Sequence, residues 1–294
     1  MSKKLMFVVN VDWFFMSHRL PIALEAMRQG YEVHIATGIT DQKEAMEQLG
    51  VIVHPLALDR GKAGIFQTLR TFWQIFSVFK KIKPDIVHLV TIKPVLLGGI
   101  AARLANIQGV VAAISGLGYV FLDSGSLSWI RRKFVVILYR FVFQHPNLKV
   151  IFQNADDRNE IIKWTGLNIS KTEMIRGSGV DLDLFRHEPL PQGMPIVLMA
   201  ARLLADKGVR EFVSAARTLL GRARFCLVGD IDAANPSSIK GEEISKWVAE
   251  GVIEYWGQRG DMDKTLATAY IVVLPSYREG LPKILLEAAA VGRP

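Results

Sequence analysis

Cysteine is almost missing from this sequence. Cys226 is the single one in 294 residues, and it sits within the apolar run Arg224-Phe-Cys-Leu-Val228. One thiol excludes a disulfide framework and a cysteine-built zinc site, which suits a reducing cytoplasm. Long hydrophobic runs are missing as well, none approaching the roughly 20 apolar residues of a membrane-spanning helix. A secretory leader is not expected, because after Lys3-Lys4 only residues 5–9 are apolar before Asn10 and Asp12 intervene. No complete dinucleotide fingerprint occurs: Ser115-Gly-Leu-Gly-Tyr119 follows an apolar stretch but lacks the third glycine. Acidic residues are scarce relative to basic ones, 28 against 36, and residues 64–83 and 127–149 contain none. The resulting charge of +8 admits phosphorylated substrates, anionic lipid or nucleic acid as partners. No nucleic-acid motif accompanies the charge, so nucleic acid is not expected.

What is present is a well-folded composition, half hydrophobic and only 22% charged. A chain of this length exceeds the size at which one core keeps growing, which predicts two domains. Short apolar runs at 5–9, 31–37, 51–55, 85–89, 110–114 and 149–152 alternate with helical patterns at 18–29, 64–82, 94–106, 127–143 and 155–164. The alternation resumes after 195, with strands at 196–200, 223–228, 252–255 and 270–274 and helices at 209–220, 238–249 and 262–268. Near-continuous apolar strands in β-then-α order predict parallel, doubly wound sheets. Residues 176–195, with Gly177, Gly179, Pro189, Pro191, Gly193 and Pro195, hold the densest punctuation and read as a connector. The expected division is 1–180 and 181–294.

The chemistry concentrates near the end of the chain. A strand closed by Pro275 leads into a polar loop, residues 276–280, and Pro282 suits the first position of a helix. Glu279 then lies just ahead of a helix N-terminus and Glu287 within the helix. Free amides at such a start favour an anion, and two carboxylates favour hydroxyl groups. Phosphate together with polyol describes a sugar nucleotide. Upstream, Ala200-Ala-Arg-Leu-Leu-Ala-Asp-Lys-Gly208 leaves a strand, placing Arg202 and Lys207 at its carboxyl end, a fork and a point charge for phosphate oxygens. Val228-Gly229-Asp230 and Gly257-Gln-Arg-Gly260 end the two following strands.

Glu279-Gly280-Leu281-Pro282 through Glu287 resembles the E-x7-E motif of the GT4 family of retaining glycosyltransferases, which have the GT-B fold. The resemblance covers essentially the whole chain and implies two Rossmann-like domains with parallel sheets facing a cleft. It implies a C-terminal nucleotide-sugar domain in which Glu279 lies by the donor sugar, Glu287 by the ribose, and Arg202 with Lys207 on the diphosphate. Gly280, Leu281, Gly229 and Gly257 would complete the donor site, although Ile231 stands where the family's Gly-Asp-Gly has its second glycine. The donor implied is a nucleotide diphosphate sugar, UDP by family habit. No cofactor and no metal are implied: Asp181-Leu-Asp183, Asp230-Ile-Asp232 and Asp261-Met-Asp263 spell D-x-D, but scattered copies arise by chance. No carboxylate stands out as a covalent nucleophile, and the family's route is front-face attack with the leaving phosphate deprotonating the acceptor.

Acceptor-side candidates lie in the first half: His18 and Arg19 in Phe15-Met-Ser-His-Arg-Leu-Pro21, which replaces a glycine-rich first loop, Lys93 in Thr91-Ile-Lys-Pro94, and Gly116 and Gly118. His88 is read as ending its strand, with Val90 where relatives carry a second histidine. Thr91–Pro94, Ser115–Gly118 and Gly177-Ser-Gly-Val-Asp181 resemble a GT4 branch that builds surface glycans on undecaprenyl diphosphate. That implies a polyprenyl-diphosphate-linked acceptor. Residues 64–83 and 127–149 combine aromatics with cations, a pattern suited to an anionic membrane surface. The expected place is peripheral, on the inner face of the cytoplasmic membrane. Family members continue beyond the equivalent of Pro294, so the second domain is expected to be incomplete, with an unpaired sheet edge. Two alternatives stay open at this point: a GT-B-fold sugar-nucleotide epimerase, and a non-catalytic nucleotide-sugar-binding fragment.

Overall fold

A computed structural model describes residues 2–58, 64–116, 126–232, 235, 237–277 and 279–294. The chain divides into two compact units, Met1–Ser178 and Gly179–Pro294. In the first, β1 (Lys4–Val11), β2 (Glu32–Gly38), β3 (Ile52–Pro55), β4 (Ile86–Val90), β5 (Gly109–Ile114), β6 (Leu148–Phe152) and β7 (Thr172–Met174) form one sheet. All neighbours are parallel, in the order β3-β2-β1-β4-β5-β6-β7. The uninterrupted apolar run of β1 follows from burial on both faces. Phe7 and Val9 pack with Phe15 of α1 (Asp12–His18), Ala23 of α2 (Leu20–Arg28) and Met46 of α3 (Lys43–Gln48). Met6 and Val8 pack on the opposite face, in the core built by α4 (Ile65–Ile82), α5 (Ile92–Leu104), α6 (Ser126–Phe143) and α7 (Ala155–Thr165).

The second unit repeats the plan. Its strands β8 (Ile196–Ala200), β9 (Arg224–Val228), β10 (Glu254–Gly257) and β11 (Ile271–Val272) are parallel in the order β10-β9-β8-β11. On one face α8 (Val209–Thr218) and α9 (Gly241–Ala249) bury Phe212 and Trp247 against Met199 and Leu227. On the other, Leu266 of α10 (Met262–Ala267) and Ala288 of α11 (Lys283–Ala290) cover Leu198 and Cys226. The thiol is fully buried, and burial pushes its pKa up to about 12, so it behaves as a small core hydrophobe.

Several expectations need correction. The helix expected over 18–29 is two helices: α1, which begins six residues earlier at Asp12 and ends with His18, and α2, parted from it at Arg19, whose φ of −129° serves both as a cap. The start of α1 is set by Asp12, a fully buried carboxylate that accepts from Trp13 N (2.8 Å), Thr40 N (2.6 Å), Thr40 Oγ1 (2.6 Å) and Gln42 N (3.1 Å). His88 does not end β4; it is the middle residue and is buried. Strand β7, entered from a 3-10 turn at Ile169–Lys171, was not expected, since Thr-Glu-Met carries no strand pattern. Much of the punctuated connector packs into the second unit. Phe185 lies in that core, and buried Arg293 donates to Glu188 O (2.8 Å), Pro189 O (2.8 Å) and Ala267 O (2.9 Å).

Asp12 has a measurable consequence. Burial raises its pKa, but the four donors outweigh burial and hold it below 3.8. Asp12→Ala leaves those donors without a partner and is expected to cost about 2–4 kcal/mol at neutral pH. Because the folded pKa is depressed, the contribution is complete above the unfolded value and disappears as pH falls through the folded one. Urea unfolding of wild type and variant should therefore differ by a constant amount from neutral pH down to about 5, then converge below about 4. An unchanged gap at pH 3 would contradict this assignment.

Candidate active site

The loops at the carboxyl ends of β8, β9 and β11 are locked together through their backbones. After Ala200 the chain turns through Arg202 into a 3-10 turn, Ala205–Lys207, and reaches Gly208 at a φ of +77°. A Cβ at Gly208 would lie 2.1 Å from the Pro275 carbonyl oxygen, so the loop after β11 runs directly against it. Gly229, just beyond β9, has a φ of +145°, and a Cβ there would lie 1.8 Å from the Ala201 carbonyl oxygen. Only glycine satisfies both the dihedral and the approach. Further ties run from Tyr277 N to Asp206 O (3.1 Å), from Ser276 Oγ to Asp206 O (3.2 Å), and from Gly229 N to Gly257 O (2.9 Å).

On this frame Lys207 Nζ lies 2.5 Å from Glu279 Oε1. Both side chains are largely enclosed, 18% and 25% exposed. Arg202, half exposed, reaches toward Asp232 at 3.6 Å. Glu287 is buried and accepts from Lys283 Nζ at 2.9 Å, one helical turn earlier. Gly280 and Leu281 occupy the loop between them, and Gly257, with a φ of +68°, ends β10 facing open space. Pro282 precedes the helix as its N-cap (φ −71°, ψ 118°) rather than taking the first helical position, so α11 begins at Lys283.

The geometry brings Lys207 and Glu279 into contact across 72 residues of sequence. Arg202 and Glu287 lie on the same frame but on partners of their own. Each acid of the Glu279/Glu287 pair is thus matched with a lysine, and each of those cations can change partner to an incoming phosphate. Sequence reasoning missed Asp232, set aside as one acid of a chance D-x-D, and the bond from Tyr277 Oη to Glu211 Oε1 (2.6 Å) that steadies the loop before Glu279. Ile231 helps wall a hollow of about 490 Å³ with Ile244, Val248 and Tyr255; neither Lys207 nor Glu279 lines it. Among the described residues no group of three or more His, Cys, Asp or Glu is gathered to hold a metal.

In the first unit, His18 stacks on Phe14 (centroids 4.1 Å apart) and its Nδ1 lies 2.5 Å from Ser17 Oγ. Arg19 is buried, Lys93 is the second residue of α5, and Gly116 has a φ of +151°. Gly118 lies outside the described residues.

Residues 4–154 match the family model described as Glycosyl transferase 4-like, and residues 194–294 that of Glycosyl transferases group 1. The chain is 32% identical over 286 residues to N,N'-diacetylbacillosaminyl-diphospho-undecaprenol alpha-1,3-N-acetylgalactosaminyltransferase of Campylobacter jejuni, covering 94% of this chain and 75% of that protein. It is 26% identical over 249 residues to the UDP-Gal:alpha-D-GlcNAc-diphosphoundecaprenol alpha-1,3-galactosyltransferase of Escherichia coli, covering 78% of this chain and 62% of that one. Anabaena HepE in complex with UDP superimposes with a TM-score of 0.75 at 18% identity, over 99% of this chain and 79% of HepE, a likeness of fold.

Proposed function

Since this chain belongs to the GT4-like family of glycosyltransferases, we propose that it moves a hexose or N-acetylhexosamine from a nucleotide diphosphate sugar, UDP-linked, to a polyprenyl-diphosphate-linked glycan. The observation that carries the reading is the Lys207–Glu279 pair, held by two glycine contacts at the carboxyl edge of the second sheet. Ligands of open parallel sheets bind at that edge. The diphosphate takes over Lys207, joined by Arg202, and frees Glu279 to accept from hydroxyls of the donor sugar. In the same way Glu287 turns from Lys283 toward the ribose. Two cations on the leaving diphosphate stabilise the charge that develops as the glycosidic bond breaks. The acceptor hydroxyl attacks from the same face and its proton passes to the departing phosphate, so configuration is retained. On this reading the second unit binds the donor and the first binds the acceptor.

The enzyme works as a peripheral protein on the inner face of the cytoplasmic membrane. No described helix is long and apolar enough to cross a bilayer. Ile65, Phe66, Leu69 and Trp73 of α4 are exposed, as are Trp129, Phe134 and Ile137 of α6, with Lys133 Nζ 3.8 Å over the Trp129 ring. Both helices flank α5 on one face of the sheet. Crossover helices run back against their strands, so these aromatic N-terminal halves lie toward the carboxyl edge. An apolar face with cations and no acid suits anionic lipid.

One experiment tests the whole reading. The chain is mixed with vesicles containing phosphatidylglycerol and polyprenyl-diphosphate monosaccharides of the kind the relatives' names give, supplied with UDP-sugars, and products are read by mass spectrometry. A lipid-linked disaccharide is expected, formed by vesicle-bound protein. Phe66→Ser with Trp73→Ser is expected to leave most protein in the supernatant. UDP-sugar epimerised with no lengthened lipid would favour an isomerase, and no change in either substrate would refute transfer.

A further inference from the structure

The first sheet has its own switch point. Its order β3-β2-β1-β4 reverses direction between β1 and β4, and the crevice beyond those two strand ends is where doubly wound sheets take ligands. Among the described residues, three buried polar atoms around it have no hydrogen-bond partner: Asn10 Oδ1, Arg19 Nε and His88 Nε2. Arg19 is only 5% exposed, and among the described residues its side chain makes one hydrogen bond, from Nη1 to the neighbouring His18 carbonyl (2.9 Å). The acids nearest in sequence are engaged elsewhere, Asp12 with Trp13, Thr40 and Gln42 and Glu25 with Arg28 and Gln29. Among the described residues no carboxylate faces this guanidinium; a fold keeps such an uncompensated charge where a ligand supplies the counter-charge.

The neighbouring histidine is tuned to the same field. His88 stacks on Phe7 at 5.2 Å and is 7% exposed. Burial first, and then the positive charge of Arg19, push its pKa down to about 3, so it is neutral beside that cation. Three residues on, Thr91 holds φ +73° and ψ 168°, a region that residues other than glycine scarcely enter. Its hydroxyl accepts from Asn10 Nδ2 at 2.8 Å, tying the ends of β1 and β4 across the crevice. The strain turns the chain into α5, a 13-residue helix with no acid in its first turn and Lys93 at its second position. A helix start, a buried guanidinium and a lysine favour one kind of guest, a phosphate.

We propose that this β1–β4 crevice is a phosphate subsite, in which the Arg19 guanidinium and the amino end of α5 hold the diphosphate of the acceptor. The assignment to the acceptor rests on the transfer reading above; the anion site itself does not. A phosphate there pairs with Arg19 Nε and supplies an oxygen within reach of the unpartnered imidazole. It also offsets the Arg19 charge, the lesser of the two causes that hold the His88 pKa down, so occupancy is reported by the histidine.

The test is histidine-selective nitrogen NMR on the whole chain titrated with inorganic pyrophosphate, with acetate as a carboxylate control and UDP binding measured alongside by calorimetry. Pyrophosphate is expected to shift the His88 resonances saturably below about 10 mM and to raise the pKa of His88, while acetate does neither at that level. Arg19→Met should weaken pyrophosphate binding about tenfold or more and leave UDP affinity unchanged. The same variant should raise the unfolding midpoint by about 2–4 °C, because it removes an uncompensated buried charge. Unmoved His88 resonances in the wild type would overturn the subsite even if the variant proves unfoldable. So would equal pyrophosphate affinity in the variant as read from the His88 shifts, or a lowered midpoint marking the guanidinium as structural. Loss of UDP binding with pyrophosphate binding intact would sink the donor assignment and leave this one standing.

Discussion

Lys207→Ala and Glu279→Gln are each expected to lower kcat/KM for sugar transfer by about 10²–10³, with the folded state almost untouched. The size follows from what the pair does in the proposed cycle. Lys207 opposes charge building on the leaving diphosphate, and removing one such preorganised group costs about 3–4 kcal/mol of transition-state stabilisation. Stability should change far less. The two side chains keep 18% and 25% of their surface, so water already screens the bond, and its net contribution is about 1 kcal/mol or below. The two variants should differ in detail. Lys207→Ala weakens UDP itself, whereas Glu279→Gln preserves UDP affinity and loses turnover, because the acid faces the sugar. Arg210→Ala is the control: it breaks an ion pair with Glu243 of similar length, 2.9 Å, on an exposed helix face, and should transfer at the wild-type rate. Wild-type turnover in Lys207→Ala would remove the pair from the active site.

Gly229→Ala should have the largest effect on stability. The substitution meets two penalties together. A φ of +145° is a conformation that L side chains avoid, which costs about 1–3 kcal/mol. The new methyl would also sit 1.8 Å from the Ala201 carbonyl oxygen, a backbone atom at the end of β8 that cannot swing aside as a side chain can. Relief requires the β8 and β9 loops to part, breaking the bonds from Gly229 N to Gly257 O and from Tyr255 Oη to Gly229 O. The expected total is about 4 kcal/mol or more. A chain of ordinary stability then shows a thermal midpoint many degrees lower or a sharply reduced soluble yield. Gly260→Ala provides the comparison. It has no positive φ and nothing within 4 Å of the added carbon, so it should stay within about 0.5 kcal/mol of wild type. Equal midpoints for the two variants would mean the loops are not packed as described.

Which parts of this were legible in the sequence follows from physical cause. Strands buried on both faces show themselves as uninterrupted apolar runs, so β1, β4, β5, β8 and β9 were each readable to within two residues at either end. Edge strands carry less signal: β7 is Thr-Glu-Met, and β11 narrows to two residues because Val273 bonds to Leu198 and then peels away toward Pro275. Helix α1 escaped because its start is set by a tertiary partner, the Thr40 loop, rather than by a local cap. In the candidate site, Lys207 and Glu279 could each be assigned to a strand end from local pattern, but their contact depends on Gly208 meeting Pro275. Nothing local in Asp-Lys-Gly-Val reveals a carbonyl lying 67 residues downstream. Arg19 shows a different limit. The sequence offers it as an acceptor-side candidate beside His18, and only the packed structure reveals it enclosed, with its Nε unpartnered among the described residues.

The contact between Gly208 and Pro275 also bears on how such enzymes can be re-engineered or can diverge. Because one loop's path is moulded on the other's main chain, swapping either segment alone for that of a homologue would displace both charges at once. Exchange of sugar preference between family members should therefore succeed in chimeras that carry 201–208 and 273–282 as a matched set, and fail in those that carry only one.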